Sequence, residues 1–344
     1  MADPFLRLPM DQRAEALAVA ADVSGRPDTI LEKDVWVVWA LGVLFDGTLA
    51  EHLCFKGGTS LSKAYALIER FSEDVDLTYD IREILADQLR GADADPIPDT
   101  RSQADRWTRA VRDRLPEWVE SAALPEIRTR IAVEMLPAEM KADGCDLILS
   151  YEKAAATANA YVPPQIRIEF GARSTGEPLQ LRPVVCDAAT HLPTLTFPEA
   201  SPRTMAPERT FWEKATAAHV FCFEERLRGE RYARHWYDLV RLDDAGVAAT
   251  ALADRDLGRR VASHKNRFFI VSTADGERID YTAAIEGGLR LVPPDDGRRA
   301  LEDDYRRMVE AGLLEDHAPS FDEIMEQCSG IEGRANSAQE DRVK

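Results

Sequence analysis

Two aspartates, Asp74 and Asp76, stand one residue apart in RFSEDVDLTYD, each followed by an apolar residue, Val75 and Leu77. On an extended chain residues i and i+2 share a face, so the two carboxylates project together while Val75 and Leu77 turn to the core. Adjacent carboxylates repel, and a hard divalent cation with oxygen ligands relieves them. Mg2+, or Mn2+ in its place, keeps positions open for water and phosphate oxygens, which suits phosphoryl and nucleotidyl transfer. Upstream, FKGGTS sets Gly57 and Gly58 ahead of Thr59 and Ser60. Glycines let a backbone approach a phosphate closely, and the N–H groups at a helix start add positive potential. Lys56 and Arg70 flank this stretch as candidate phosphate-binding cations. Ser72 reads either as a modification point or as a turn residue entering the strand. A third carboxylate would complete a metal set, and Glu169, on the polar side of IRIEF, is the candidate.

The elements that must position these groups follow from periodicity. HLCFKGG is a short apolar strand running into a glycine turn; TSLSKAYALIER carries Leu61, Tyr65 and Ile68 at helical spacing; alternation starts at Asp74. The predicted order is strand, Gly-Gly turn, helix, strand. Ahead of it, residues 10–22 read as one helix. PDTILEKDVWVVWALGVLF reads as a second, buried helix with Asp28 or Thr29 as N-cap, ending near Asp46 and Gly47. After it come a turn-rich connector (91–100) and a helix over RSQADRWTRAVRDRLPEWVESAAL that Pro116 breaks. RTRIAVEMLPAE and CDLILSYEK read as strands joined by a turn at Lys141 to Gly144, and PPQIRIEFGAR as a strand with Ile166, Ile168 and Phe170 on its apolar side. RPVVCDAATHL reads as one further strand. From Pro207 the chain reads as helices, so a mixed domain over 1–205 precedes a helical domain over 206–331, with a flexible tail at 332–344. No internal repeat is present.

The net charge of −18 argues against a general nucleic-acid coat, since such binding rests on neutralising phosphates. Arginine is nevertheless concentrated in RLRGERYARHWYDLVRL (Arg226, Arg228, Arg231, Arg234, Arg241) and in RDLGRRVASHKNR. Five cysteines without a C-x-x-C pair give neither a zinc nor a disulfide framework and fit a reducing cytoplasm. His219 and His235 lack metal-ligand spacing. The first 25 residues carry early acid and no long apolar core, unlike a secretory leader, and no 18-residue apolar run reads as a membrane span.

FKGGTSLSKAY followed by RFSEDVDLTYD resembles the signature of the AbiEii/AbiGii-type nucleotidyltransferases, within the DNA polymerase β-like nucleotidyltransferase superfamily. EKDVWVVWAL (32–41) is similar to the family's N-terminal helix, PERTFWEKATAAH (207–219) to its lysine motif, and RHWYDLVRL (234–242) to its tyrosine–aspartate–leucine motif. DYRRMVEAGLLEDHAPSFDEIMEQ (304–327) is similar to its C-terminal helices, so the likeness runs from about residue 28 to 331. The resemblance implies an α+β fold, with a polymerase β-like mixed-sheet N-terminal domain and a helical C-terminal domain that holds an acceptor. It implies a toxin of a type IV toxin–antitoxin or abortive-infection system, countered by an antitoxin encoded nearby. The implied reaction moves a nucleoside monophosphate from a nucleoside triphosphate to RNA, with a tRNA end as leading acceptor. Asp74 and Asp76 would be metal ligands, with Gly57, Gly58, Thr59 and Ser60 cradling the triphosphate. Lys214 would touch the phosphates, and Asp238 would act as a base or as an orienter of Lys214. By their neighbours alone, Lys214 reads sooner as a snorkelling lysine and Asp238 as a helix-surface acid than as site residues.

The chain departs from the family in two places. The gap from Gly58 to Asp74 exceeds the minimal superfamily pattern, and His235 stands where many relatives carry an acid. Lys33 matches a family position without a derivable role. Two rival readings stay open: a nucleotidyltransferase acting on protein hydroxyls or aminoglycosides, the latter favoured by an acidic surface, and a non-catalytic binder of nucleotide, RNA or a partner.

Overall fold

The computed structural model describes residues 3–70, 72, 74–89, 95–156, 163–224, 231–273, 275–314 and 317–337. The chain divides into two compact units: one of Met1–Ala64, Ser72–Pro96 and Arg109–Met205, the other of Tyr65–Phe71, Ile97–Thr108 and Ala206–Lys344.

The first unit is built on a seven-stranded mixed sheet. Its strands in chain order are β1 (Leu53–Lys56), β2 (Val75–Tyr79), β3 (Ala138–Asp143), β4 (Asp146–Tyr151), β5 (Gln165–Gly171), β6 (Leu179–Leu181) and β7 (Arg203–Met205). Across the sheet they lie β3-β4-β5-β2-β1-β7-β6. β2 runs parallel to β5 and antiparallel to β1, and β7 runs parallel to β1. Alternation in β5 buries Ile166, Ile168 and Phe170, as its sequence predicts, and β2 buries Val75 and Leu77. Gly144, at φ +64, turns the β3–β4 hairpin. Tyr79 at the end of β2 stacks on Trp118, ring centroids 4.0 Å apart.

Helix α1 (Met10–Ser24) precedes α2 (Asp28–Asp46). α2 is apolar around most of its circumference and nearly all buried, as an interior helix must be. It starts at Asp28 itself, with Pro27 at the N-cap position rather than Asp28 or Thr29; the Asp28 carboxylate accepts from the Thr29 N–H at 2.8 Å. α3 covers only Gly57–Lys63, shorter than the helix predicted over 59–70. It takes in both glycines, and the chain leaves it through a left-handed Ala66 at φ 52. Ile68 and Arg70 are buried as part of the second unit, and that packing overrides the helical spacing.

A short α4 (Ile81–Ile84) leads towards α5 (Arg101–Trp118), which runs straight through Pro116. A π-helical turn, Val119–Ala123, continues it into α6 (Leu124–Glu134). Leu115, Val119, Ala123 and Ile127, four residues apart, bury one continuous row that outweighs the proline's missing hydrogen bond. The strand predicted from Arg128 is therefore helix as far as Glu134. Leu124, Ile127 and Ile131 follow helical spacing, and a left-handed Met135 ends the run before β3. RPVVCDAATHL yields only a two-residue strand, Val184–Val185, and a 3-10 turn, Asp187–Thr190.

The second unit is helical: α7 (Pro207–Glu224), α8 (Arg234–Asp244), α9 (Val247–Ala253), α10 (Arg255–Phe268), α11 (Asp295–Glu310) and α12 (Phe321–Ser337). Two segments expected to belong to the mixed domain join it. Trp107 stacks near Phe268 with ring centroids 6.4 Å apart, and Arg70 pairs with Asp238. α12 continues past the expected tail start at 332, because Ile331 and Ala335 are buried along it. Among the described residues no helix is long and apolar enough to cross a membrane.

Candidate active site

Strand register builds the acidic half of the site in the first unit. Asp76 lies between Lys56 on β1 and Glu169 on β5, directly paired with each. Register partners project to one side of a sheet, so Asp76 and Glu169 are neighbours, and Asp74, two residues before Asp76, precedes the strand half-buried. Glu169 reaches solvent. Yet partial burial, followed by the charges of Asp76, Asp74 and Asp146, pushes its carboxyl above the ordinary value, with Arg167 opposing. Negative charge is thus crowded at one strand end.

Gly57 holds this crowding in place from the β1 side. Its φ is +79, and a Cβ there would lie 2.1 Å from Oδ2 of Asp76. Glycine is required twice over, by the left-handed backbone and by the carboxylate pressed against it. Thr59 and Ser60 are buried and their hydroxyls are engaged locally. Ser60 donates to the Gly57 carbonyl at 2.9 Å. Thr59 donates to the Asp74 carbonyl and stands 2.9 Å from the Ser72 hydroxyl, which ties α3 to the chain entering β2. Carboxylate oxygens are the donors that a hard divalent cation takes, and the negative charge of Asp76 and Asp74 crowded around Glu169 fits such an ion. Among the described residues, however, no three His, Cys, Asp or Glu side chains form a closed cage. The sheet aligns the candidate ligands without bringing them into a completed shell.

The second unit holds a buried cluster of its own. Asp238 on α8 has no exposure, and both its oxygens accept from Arg70, at 2.7 Å from Nε and 2.9 Å from Nη2. Lys214 on α7, 7% exposed, reaches the same carboxylate at 2.7 Å. Burial alone would raise the Asp238 carboxyl, but Arg70 and Lys214 overcome it and hold the group well below the usual carboxylate range. Lys214 is lowered by burial and by Arg70, while Asp238 supports its charge. Lys214 is therefore neither a snorkelling lysine nor Asp238 a surface acid. His235, beside this cluster, is kept neutral by burial and by Lys214 and Arg234, and its buried Nδ1 has no hydrogen-bond partner among the described residues. Arg226 and Arg228 fall outside the described residues.

A third group lies outside the sequence expectations. Lys63, at the end of α3, bonds Asp34 of α2 and Asp187, both at 2.6 Å, and the Asp187 N–H donates to Asp34 at 2.6 Å. Burial first, then Asp187, raises the Asp34 carboxyl to about 6 against the pull of Lys63. Glu32 accepts from the N–H groups of Ala154 and Ala155 at 2.7 and 3.0 Å. Lys33 is buried between them in the same helix. The signal that could reveal this group is the EKD run itself: charges inside an otherwise apolar helix must be paired when buried.

Comparison with known proteins places the chain. The family model described as nucleotidyl transferase AbiEii toxin, type IV TA system, matches residues 39–327. No curated protein matches the chain. Among solved structures it is similar to MenT4, a nucleotidyltransferase toxin from Mycobacterium tuberculosis H37Rv, at 16% identity, TM-score 0.43, covering 94% of this chain and 88% of that one. It is similar also to JHP933 from Helicobacter pylori, at 16% identity, TM-score 0.41, covering 92% of this chain and 96% of that one. With the family match spanning most of its length, the chain belongs to the AbiEii family of nucleotidyltransferases, toxins of type IV toxin–antitoxin systems.

Proposed function

We propose that the protein transfers a nucleoside monophosphate from a nucleoside triphosphate to an RNA acceptor, the end of a tRNA, in the cytoplasm. The observation that supports this reading most is the pairing of Asp76 with Glu169 on parallel strands, with Gly57 seated against Asp76. Asp74, Asp76 and Glu169 would hold Mg2+ or Mn2+, which when bound supplies charge neutralisation and Lewis acidity at the phosphate. Gly57 and Gly58 form the turn assigned to the triphosphate, with Lys56 as a flanking cation. Lys214 is the cation assigned to the phosphates. Asp238, held ionised and committed to two cations, has no basicity to spare, so it orients Lys214 and Arg70 rather than taking a proton. The antitoxin partner that the family implies would be encoded beside the gene.

The test is direct. The protein is incubated with each labelled nucleoside triphosphate, Mg2+ and total tRNA. Label should reach tRNA, and Asp76→Ala should abolish it. Label on protein or on an aminoglycoside instead would establish the rival acceptor, which the net charge of −18 favours. Transfer to no acceptor under any condition would refute the catalytic reading.

A further inference from the structure

The register that sets Asp76 beside Glu169 continues outward across the sheet. Asp146 on β4 is the register partner of Glu169, and Asp143 on β3 is the partner of Asp146. Register partners share a face, so Asp76, Glu169, Asp146 and Asp143 form one row of carboxylates across β2, β5, β4 and β3. Arg167, two residues before Glu169 on the same face of β5, reaches into this row. We propose that Arg167 is a positioning residue that divides the row: it keeps Asp146 and Asp143 as its own counter-ions and reserves Asp76 and Glu169 for the divalent ion. The inference rests on the reading of Asp74, Asp76 and Glu169 as metal ligands.

The contacts fall on the two sides of that division. Nη1 of Arg167 lies 2.5 Å from Oδ2 of Asp146 and 3.5 Å from Oδ2 of Asp143. Among the described residues neither Asp76 nor Glu169 makes a side-chain hydrogen bond or an ion pair. Like charges directly opposite one another on neighbouring strands are destabilising. The outer two acids cannot part, because only Gly144 and Cys145 separate Asp143 from Asp146 in the hairpin. A guanidinium carries several donors in a fixed fork, so one arginine serves both acids at once. The outer pair is thereby taken up, and the oxygens of the inner pair stay uncommitted.

Fold stability gives little reason for this arginine. Its side chain is 41% exposed and those of Asp143 and Asp146 are 67% and 24% exposed, and ion pairs so open to water contribute little. Its effect on a metal site is larger. Mg2+ at transfer sites is held by one or two carboxylates together with substrate phosphates, rather than by an all-protein cage. A row of open carboxylates would hold the ion without any nucleotide and draw it along the sheet towards Asp146. With Asp146 and Asp143 occupied, the ion is confined to the Asp76 end of the row, and phosphate oxygens are needed to complete its coordination.

The experiment measures the Mn2+ affinity of the full chain, without nucleotide, by electron paramagnetic resonance. A strand spacing of about 4.8 Å and an i, i+2 step of about 6.8 Å keep Asp146 and Arg167 within about 8 Å of Glu169. At that range one unit charge changes the affinity of a divalent ion about fivefold even at the dielectric constant of water. Arg167→Gln should therefore tighten Mn2+ binding about fivefold. Asp146→Asn, which frees Arg167 to turn onto Glu169, should weaken it about fivefold. Arg167→Gln/Asp146→Asn should return to within about twofold of the parent, since the two charges cancel. Melting temperatures should stay within about 3 °C of the parent throughout. A merely structural ion pair gives another pattern, in which both single variants lose stability and neither tightens Mn2+. Unchanged or weaker Mn2+ binding in Arg167→Gln overturns the inference, as does a double variant no closer to the parent than Arg167→Gln. Asp76→Ala separates the two readings. Mn2+ affinity that this variant leaves unchanged rejects the metal site and the inference with it; affinity that depends on Asp76 but not on Arg167 rejects the inference alone.

Discussion

Replacing Gly57 by alanine tests the link between the glycine turn and the acidic strand end. The added Cβ would lie 2.1 Å from Oδ2, 2.8 Å from Cγ and 2.9 Å from Cβ of Asp76. Ordinary van der Waals separation for such atoms begins near 3.4 Å, so the carboxylate, the turn or both must retreat by about 1 Å. The left-handed backbone at φ +79 adds a cost of about 1 to 2 kcal/mol. Displacements of this size at a reacting centre cost about 100-fold in rate. The expected result is a transfer rate down about 100-fold, while the melting temperature falls by only several degrees. Mn2+ affinity, followed by electron paramagnetic resonance, should weaken in parallel. Since the damage travels through Asp76, Gly57→Ala in an Asp76→Ala background should add almost nothing. Parent-like transfer and Mn2+ binding in Gly57→Ala, or additive losses in the double variant, would refute this account of why the glycine is there.

Asp238→Asn should destabilise the protein by about 3 to 5 kcal/mol, read from urea midpoints, because Arg70 and Lys214 stay buried without their shared anion. Lys214→Met should abolish transfer while destabilising far less, since Arg70 still satisfies Asp238. Glu169→Gln should weaken Mn2+ affinity about tenfold through the missing anionic donor, with little change in stability. For pH, the Asp34 carboxyl is raised from 3.8 to about 6 in the fold. Its folded form thus holds a proton that the unfolded form has released, and stability from this group falls as pH rises from about 4 to about 6. Lys63 and Asp187 face it, so Asp34→Asn should flatten that part of a melting-temperature profile.

What the sequence makes legible is whatever a short periodic run decides by itself. β2 and β5 alternate cleanly, and their apolar residues face the core as expected. The candidate ligands Asp76 and Glu169 stand on the polar faces of those strands, where each is legible by itself; that they lie side by side follows only from the sheet register. The failures occur where distant packing outvotes local pattern. The stretch after Lys63 has helical spacing, yet Ile68 and Arg70 are drawn into another unit. Pro116 signals a break, but the row Leu115, Val119, Ala123, Ile127 continues past it. Lys214 and Asp238 look like ordinary helix residues because the partner that explains them, Arg70, lies 144 and 168 residues away in the chain. Lys63 stays unread because nothing local to GGTSLSK announces that Asp34 and Asp187 await it.

The second unit is assembled from three separated pieces of chain, and Arg70 arrives on the shortest of them, Tyr65–Phe71. A gene fragment cut at Ala206 would carry Asp238 and Lys214 without Arg70, and without the Ile97–Thr108 piece. The two halves therefore do not behave as cassettes. Chimaeras that exchange the helical half between relatives must carry residues 65–71 and 97–108 along with it, and a recombination at 205/206 alone should give insoluble product. Inheritance of the two halves is thus constrained by how the chain is threaded: an exchange must carry all three pieces of the second unit together.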